Sequence, residues 1–179
     1  MRLFKVIIAM VSLLVCSTIV YAGDYSLALN YGRAMPLETS FGKTLEHGPA
    51  YGGAFTYYQR NVGFTAEFSR DYFNSALSSF EGVDYGFDVY QGGVQLQAPG
   101  FWFFTPNLKV LAGYSRPWFT WPGKDRSYED FHFSWTVGGS ARFRLVDGLN
   151  GFTELNLRNV YYGGPKQFIV GKVGLEYVL

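Results

Sequence analysis

At the end of the chain, a set of apolar residues alternates with a mixed set, Lys172, Gly174, Glu176 and Val178. The apolar positions are Val173, Leu175, Tyr177 and Leu179. Because successive side chains of a β-strand point to opposite faces, this pattern predicts a strand with one wholly apolar face. The segment ends at Leu179 without a polar tail, and so hydrophobic an edge strand would promote aggregation in water. We therefore predict that it pairs with the first strand of a closed sheet and turns its apolar face to lipid.

Seven further segments alternate in the same way, and the positions that define their apolar faces, such as every second residue of 62–68 and of 90–98, carry no charge. The eight predicted strands are 25–32, 50–59, 62–72, 85–98, 107–115, 130–145, 152–161 and 168–179. Short connections at 60–61 and 146–150 alternate with long ones at 33–49, 73–84 and 116–129, which is typical of transmembrane barrels. Two connections fit this alternation less well. The connection at 99–106 should be a short turn but is long, and the connection at 162–167 should be a long loop but is short.

The first 22 residues have the features of a signal peptide. A basic start that contains Arg2 and Lys5 precedes an apolar run over 6–15 and a small-x-small site ending at Ala22. We predict residues 1–22 as a cleaved signal peptide and 23–179 as one barrel domain. The alternative is a retained membrane helix, for which the apolar core is short against the roughly 20 residues of a span.

The remaining sequence excludes several classes of protein. Cys16 is the single cysteine and would leave with the signal peptide, so disulfides and cysteine-based metal or nucleophile chemistry are excluded. A formal net charge of +1 offers no basic surface for nucleic acid. After the signal peptide no apolar run approaches 18 residues, which excludes a helical membrane bundle. The 22 glycines, 14 tyrosines and 17 phenylalanines suit an all-β membrane barrel.

Alternation alone does not decide which face lies inside. A lipocalin, a secreted barrel of similar size, would turn the apolar face inward around a ligand. The Gly-x-Trp that usually opens a lipocalin is missing, and aromatic clusters at 57–58, 101–104, 118–121 and 161–162 lie near strand ends, where membrane-interface girdles belong. We therefore predict an all-β fold: an eight-stranded antiparallel up-and-down transmembrane β-barrel.

The final strand resembles the C-terminal assembly signal of outer-membrane β-barrels through Lys172, Gly174, Tyr177 and Leu179. The whole predicted barrel is similar to the transmembrane domain of outer membrane protein A and its single-domain relatives. This resemblance implies a Gram-negative outer membrane, insertion by the barrel assembly machinery, and contact with outer-membrane lipid and lipopolysaccharide. It implies no activity, because the family includes adhesins, structural proteins, narrow channels and enzymes.

The polar face is predicted to carry a network of charges inside the barrel. Its members are Glu67, Lys109, Arg142, Arg144, Glu154, Arg158, Lys172 and Glu176. Buried charges must pair or meet water. A hairpin centred near Gly148 would place Arg142 opposite Glu154, and Ser140 opposite Asn156. We predict an Arg142–Glu154 pair within a salt-bridged plug; a narrow charged pore that favours anions is the alternative.

Two sequence features suggest possible sites. His132 and Ser134 resemble the His-x-Ser pair of outer-membrane lipid A deacylases, in which a histidine activates a serine, but here they lie on the sixth strand and face inward. The segment 116–126 combines aromatic and basic residues, which could hold lipopolysaccharide phosphates or a partner, or simply form an interface girdle passing into a turn. We predict no metal and no cofactor.

These observations favour a non-enzymatic integral outer-membrane barrel with a plugged polar interior and a structural or surface-interaction role through its extracellular loops. Two alternatives stay open. One is a lipid A ester hydrolase that uses Ser134 and His132, and the other is a narrow channel for small or apolar solutes.

Overall fold

The computed structural model describes residues 24–37, 45–75, 83–101 and 103–179, so the predicted signal peptide lies outside the described residues. Eight long strands and two two-residue strands make up the fold. They are β1 (Asp24–Pro36), β2 (Leu45–Glu46), β3 (Gly48–Gln59), β4 (Val62–Ser75), β5 (Asp84–Gln97), β6 (Phe104–Thr120), β7 (Ser127–Tyr128), β8 (His132–Val146), β9 (Leu149–Tyr161) and β10 (Pro165–Val178). In this part of the chain, no helix is long and apolar enough to cross a membrane.

The eight long strands close into a barrel. Each pairs antiparallel with the next long strand along the chain, and β1 pairs with β10, with Leu29 opposite Leu175. Closure leaves the barrel wall without a free strand edge, which a membrane requires because lipid offers no hydrogen bonds to an exposed backbone. The predicted eight-stranded antiparallel barrel is confirmed.

The two ends of the barrel differ. The turn end carries the start of β1, the end of β10, the tight turns at 60–61 and 147–148, and the connection at 98–103. Arg60 (φ 58°) and Gly148 (φ 76°) supply the left-handed backbone that two-residue hairpin turns need. Among the described residues, the loop end carries β2 and the connections 121–131 and 162–164.

The apolar face of the strands lies on the outside of the barrel. Leu29 is 75% exposed, Leu108 67% and Leu155 61%, values that a water-soluble barrel would not leave across its wall. On β6 the outward positions run Leu108, Val110, Ala112 and Tyr114 before the first charge, Arg116. The wall therefore has the uncharged belt that transmembrane barrels turn to lipid, as the sequence predicts.

The interior is polar in the middle and apolar toward the loop end. The apolar cluster consists of Ala34, Ala50, Phe73, Phe87, Val89, Val160, Phe168 and Val170. The ring of Phe168 lies 5.4 Å from those of Phe73 and Phe87, so aromatic rings fill the loop-end lumen. We call this cluster the aromatic plug. The sequence analysis predicted a polar interior and did not identify this apolar cluster.

The largest difference in strand bounds concerns β6. The sequence predicts a strand over 107–115 followed by a long loop, whereas β6 spans 17 residues, from Phe104 to Thr120. Its loop-end part pairs with β5 on one side, and on the other β7 folds back so that Tyr128 lies opposite Trp118. Pairing on both sides keeps the backbone extended through Arg116 and Pro117, where alternation of apolar residues has already ended.

Candidate functional site

Glu67 lies at the centre of an ion network in the middle of the lumen. Lys109 donates to its Oε2 at 2.5 Å and Lys172 to its Oε1 at 2.6 Å. Glu67, Lys109 and Lys172 come from three different strands, β4, β6 and β10, and their side chains are at most 6% exposed. The carboxylate thus ties opposite walls of the barrel together.

Two further carboxylates balance the network. Arg158 pairs with Asp71 and lies 3.4 Å from Glu67, while Glu154 accepts from Lys109 at 2.9 Å. Three cations therefore face three anions, which is how a protein keeps several charges away from water. Asp71 was absent from the predicted network, although it lies within the predicted strand 62–72 on the same face as Glu67.

The predicted Arg142–Glu154 pair does not form. Ser140, not Arg142, lies opposite Glu154, and Arg142 lies opposite Phe152. The connection predicted over 146–150 is a two-residue turn at 147–148, with an irregularity between Arg144 and Val146, and this shifts the register by two residues.

Arg142 reaches a partner near the turn end of the lumen instead. Its Nη2 donates to Glu176 Oε1 at 2.9 Å and also to the Tyr58 hydroxyl, and Ser26 donates to the same carboxylate at 2.7 Å. Tyr58, part of a cluster that we predicted to be an interface girdle, therefore faces the lumen. In a barrel of this width, long side chains cross the interior and need not pair with the neighbouring strand.

Arg144 lies outside the interior network. It pairs with Asp147 at the turn, where the side chains are 76% and 90% exposed. A cavity of about 500 Å³ opens at this end, between Tyr58, Arg60 and Phe103. A separate void of about 30 Å³ lies beside the ion network, lined by Glu67, Lys109 and Arg142, and holds only a few waters.

His132 and Ser134 are on the same strand but have different neighbours. Ser134 is fully buried, and its Oγ accepts a hydrogen bond from Gln91 Nε2 at 3.0 Å. Gln91 in turn accepts from Thr136, and Thr136 accepts from Arg158, so Ser134 ends a chain of hydrogen bonds that begins at the ion network.

The ring of His132 instead lies edge-on to Tyr162, 5.0 Å away, at the loop end. The Tyr162 hydroxyl donates to Glu129 Oε1 at 2.8 Å, and burial raises the pKa of this tyrosine above its ordinary value. No group of three or more His, Cys, Asp or Glu side chains within the described ranges could hold a metal ion.

The residues of the predicted assembly signal divide between the two faces of β10. Lys172 is buried in the ion network, whereas Tyr177 and Leu179 are 53% and 64% exposed on the outer wall. A Cβ on Gly174 would lie 2.3 Å from the Leu29 carbonyl oxygen, so the barrel's closing seam requires glycine there for packing reasons alone.

The outer wall at the loop end carries a cluster of arginines and aromatic rings. We call it the arginine ledge, and it consists of Arg70, Tyr72, Arg116, Trp118, Arg126 and Tyr128. Arg70 forms a two-pronged salt bridge with Asp88, with both N–O distances 2.6 Å. Arg116 donates to the Glu129 carbonyl oxygen at 3.0 Å and lies 4.5 Å from the centre of the Tyr128 ring.

Trp118 forms the floor of the ledge and is fully buried. The guanidinium of Arg126 lies 4.1 Å above its ring, and the Tyr72 ring meets it edge-on at 4.8 Å. Burial would lower the pKa of Arg126, but hydrogen bonds to Tyr128 and Tyr72 outweigh it and raise the pKa. The cluster at 118–121, predicted as a girdle, thus places Trp118 beneath a cation and not in lipid, while Trp121 is 41% exposed.

Comparison with solved structures identifies the fold as that of the small outer-membrane β-barrels. The chain is similar to neisserial surface protein A, with a TM-score of 0.69, 8% identity, and coverage of 87% of this chain and 99% of the other. It is also similar to Ail, the attachment invasion locus protein of Yersinia pestis (TM-score 0.58, 13% identity, 89% and 100% covered). A third similar structure is the N-terminal barrel domain of Pseudomonas aeruginosa OprF (TM-score 0.53, 10% identity, 87% and 100% covered). A comparison with protein-family models found no match, and a comparison with curated proteins found none either.

Proposed function

We propose that this protein is an integral outer-membrane β-barrel of a Gram-negative envelope, exported with a cleaved signal peptide at 1–22, that has no enzymatic activity. It acts through its loop end, in a structural or surface-interaction role. The observation that carries this proposal is the filling of the lumen at two levels, by the ion network around Glu67 and by the aromatic plug.

The ion network supports a closed barrel on energetic grounds. A solute that passes the middle of the lumen must separate Lys109 and Lys172 from Glu67. Breaking a buried ion pair costs roughly 3–5 kcal/mol, because each charge is left without a partner in a dry site. The aromatic plug is a second closure, which a solute would meet at the loop end.

The loop end offers the features of an interaction surface. It carries exposed aromatic side chains, among them Phe131 (56% exposed) and Trp121 (41% exposed), next to the arginine ledge. Ail, whose fold is similar, is named for attachment and invasion, and one of its structures is a complex with the heparin analogue sucrose octasulfate. These similarities favour a role in contact at the cell surface over transport.

Insertion by the barrel assembly machinery belongs to the same proposal. Tyr177 and Leu179 are exposed on the outer wall of the strand that closes the barrel, where a recognition signal is accessible before closure. Outer-membrane lipid surrounds the apolar belt.

Conductance across a planar bilayer tests the closed lumen. We expect the folded wild-type protein to give no current steps above those of protein-free bilayers between −100 and +100 mV, roughly the range of membrane potentials. Steady unitary currents from the folded wild type would contradict the proposal and favour a channel.

The surface role has a separate test in the source bacterium. A strain without the gene is complemented with the wild type or with a chain whose loop residues 121–125 are replaced by glycine and serine. We expect only the wild type to restore resistance to detergent or attachment to host surfaces. Equal restoration by both chains would contradict a role for this loop.

A further inference from the structure

The outward face of β6 changes from apolar to basic within two residues. Tyr114 is 46% exposed on the apolar belt, and Arg116 is the next residue on the same face. At the usual strand rise and tilt, two residues correspond to about 5 Å along the membrane normal. Arg116 therefore lies just beyond the hydrocarbon, at the height where lipid phosphates lie. Trp118, two residues later on the same face of β6, lies farther from the hydrocarbon.

The arginine ledge has more positive charge than its own carboxylates neutralise. Arg70 is neutralised by Asp88. Arg116 and Arg126 form no salt bridge with any carboxylate of the described residues, although both are partly buried. In the lumen, by contrast, Lys109 and Lys172 each have a carboxylate within 3 Å. Two guanidinium groups at headgroup height thus lack a counter-ion.

The ledge also holds two buried donors that have no acceptor. The indole Nε1 of Trp118 and the Nε of Arg126 are both buried and lack a hydrogen-bond partner. A buried donor without a partner destabilises the fold, so native proteins contain few such groups. Both donors belong to the stacked pair in which the Arg126 guanidinium lies 4.1 Å from the centre of the Trp118 ring. An anion with several acceptor oxygens would satisfy them together.

We propose that the arginine ledge binds the phosphate group of a phosphorylated lipid in the leaflet at the loop end, which in a Gram-negative outer membrane is the lipid A part of lipopolysaccharide. Guanidinium groups match phosphate geometry with two parallel hydrogen bonds. The ledge is on the outer wall of the barrel and faces sideways, toward neighbouring headgroups. The exposed ring of Phe131, which lies 5.4 Å from Arg116, supplies apolar contact at the start of the acyl chains.

This inference rests on the proposed outer-membrane location, but it can fail separately. A barrel that is closed to ions and restores the surface phenotype, yet does not distinguish phosphorylated from dephosphorylated lipid A, removes only the ledge proposal.

The test is binding of fluorescent lipid A to the folded full-length mature chain in neutral detergent micelles. Two forms of lipid A are compared: the phosphorylated form carries both phosphate groups, and the dephosphorylated form carries neither. The test variant is R116Q/R126Q, and the matched control is R60Q/R144Q, which removes two exposed arginines from the turn end. We expect wild type and control to bind the phosphorylated form equally, and R116Q/R126Q to bind it at least about tenfold more weakly, a difference of about 1.4 kcal/mol. The dephosphorylated form should bind weakly to all three.

Several results would overturn the proposal. One is equal binding of the two lipid forms by the wild type, and another is equal loss of affinity in both double variants. Complete competition by millimolar inorganic phosphate would assign the ledge to a soluble anion. Tighter binding of sucrose octasulfate than of lipid A, with the same dependence on Arg116 and Arg126, would assign it to a sulfated glycan. If R116Q/R126Q does not fold, the single variant R126Q takes its place, because Arg126 lies outside the strands.

Discussion

Arg126 stacks 4.1 Å above the ring of Trp118, and the same ring lies against the backbone of Gly86 on the neighbouring strand. A Cβ on Gly86 would lie 2.4 Å from Trp118 Cζ2 and 2.3 Å from the Asp71 carbonyl oxygen. The buried floor of the arginine ledge therefore depends on a residue without a side chain.

Replacing Gly86 by alanine should destabilise the barrel by about 1–3 kcal/mol, because both the indole and the backbone of β4 must move to admit the methyl group. The measurement is urea unfolding in lipid vesicles followed by tryptophan fluorescence. Gly92→Ala on the same strand is the matched control, since its nearest contact would be an ordinary 3.6 Å. Equal unfolding midpoints for the two variants would contradict the close packing of Trp118.

Replacing Glu67 by glutamine should have a larger effect on the free energy of unfolding. The change leaves Lys109, Lys172 and Arg158 facing two carboxylates in place of three, and breaking such buried pairs costs roughly 3–5 kcal/mol. R144Q, which breaks an exposed pair, should change stability by less than about 1 kcal/mol. The same unfolding assay compares them, and similar losses would argue against a central role for Glu67.

Phe87→Ala tests whether the lumen has two separate closures. Phe87 is fully buried in the aromatic plug, so its truncation should cost about 3–5 kcal/mol. The variant should still give no current in a planar bilayer, because the ion network below it is intact. Opening of a conducting path by this one change would show that the plug alone seals the barrel.

Ser134→Ala addresses the enzyme alternative. Removing the hydroxyl leaves Gln91 Nε2 without its acceptor, which should lower stability by about 1–3 kcal/mol. The acyl pattern of lipid A, measured by mass spectrometry, should be the same in cells that express the wild type, the variant or neither. A pattern that changes with the wild type and reverts with the variant would establish the hydrolase.

Tyr177→Ala should reduce the amount of folded protein in the outer membrane several-fold if Tyr177 is read by the assembly machinery. Leu175→Ala is the control, because Leu175 has the same 53% exposure on the same face but lies outside the signal. Both variants should refold to similar extents in lipid vesicles without the machinery. A parallel loss for both variants in cells would indicate a packing effect and not recognition.

The strands and the outward direction of their apolar faces could be predicted because a period of two is visible within each strand. The aromatic plug carried a usable signal, since Phe87 and Phe168 fall on the inward positions of their strands. The prediction missed it because the inward face was described by its polar residues alone.

The ion partners could not be predicted from sequence. Glu67 and Lys172 are 105 residues apart, and they meet only because the stagger of the closed barrel brings β4 and β10 to the same height. One misjudged turn length at 147–148 was enough to move Arg142 away from Glu154. The arginine ledge depends on the fold-back of β7, which has only two residues and no alternation to reveal it.

β6 has 17 residues, whereas a tilted strand crosses the hydrocarbon with about 9–11. The excess continues beyond the lipid as paired strand, held by β5 on one side and β7 on the other. Ordering a free loop costs roughly 1–2 kcal/mol per residue, and here that entropy is lost when the barrel folds, not when a ligand arrives. The arginine ledge is thus preorganised, and a bound headgroup would lose mainly its own freedom of motion.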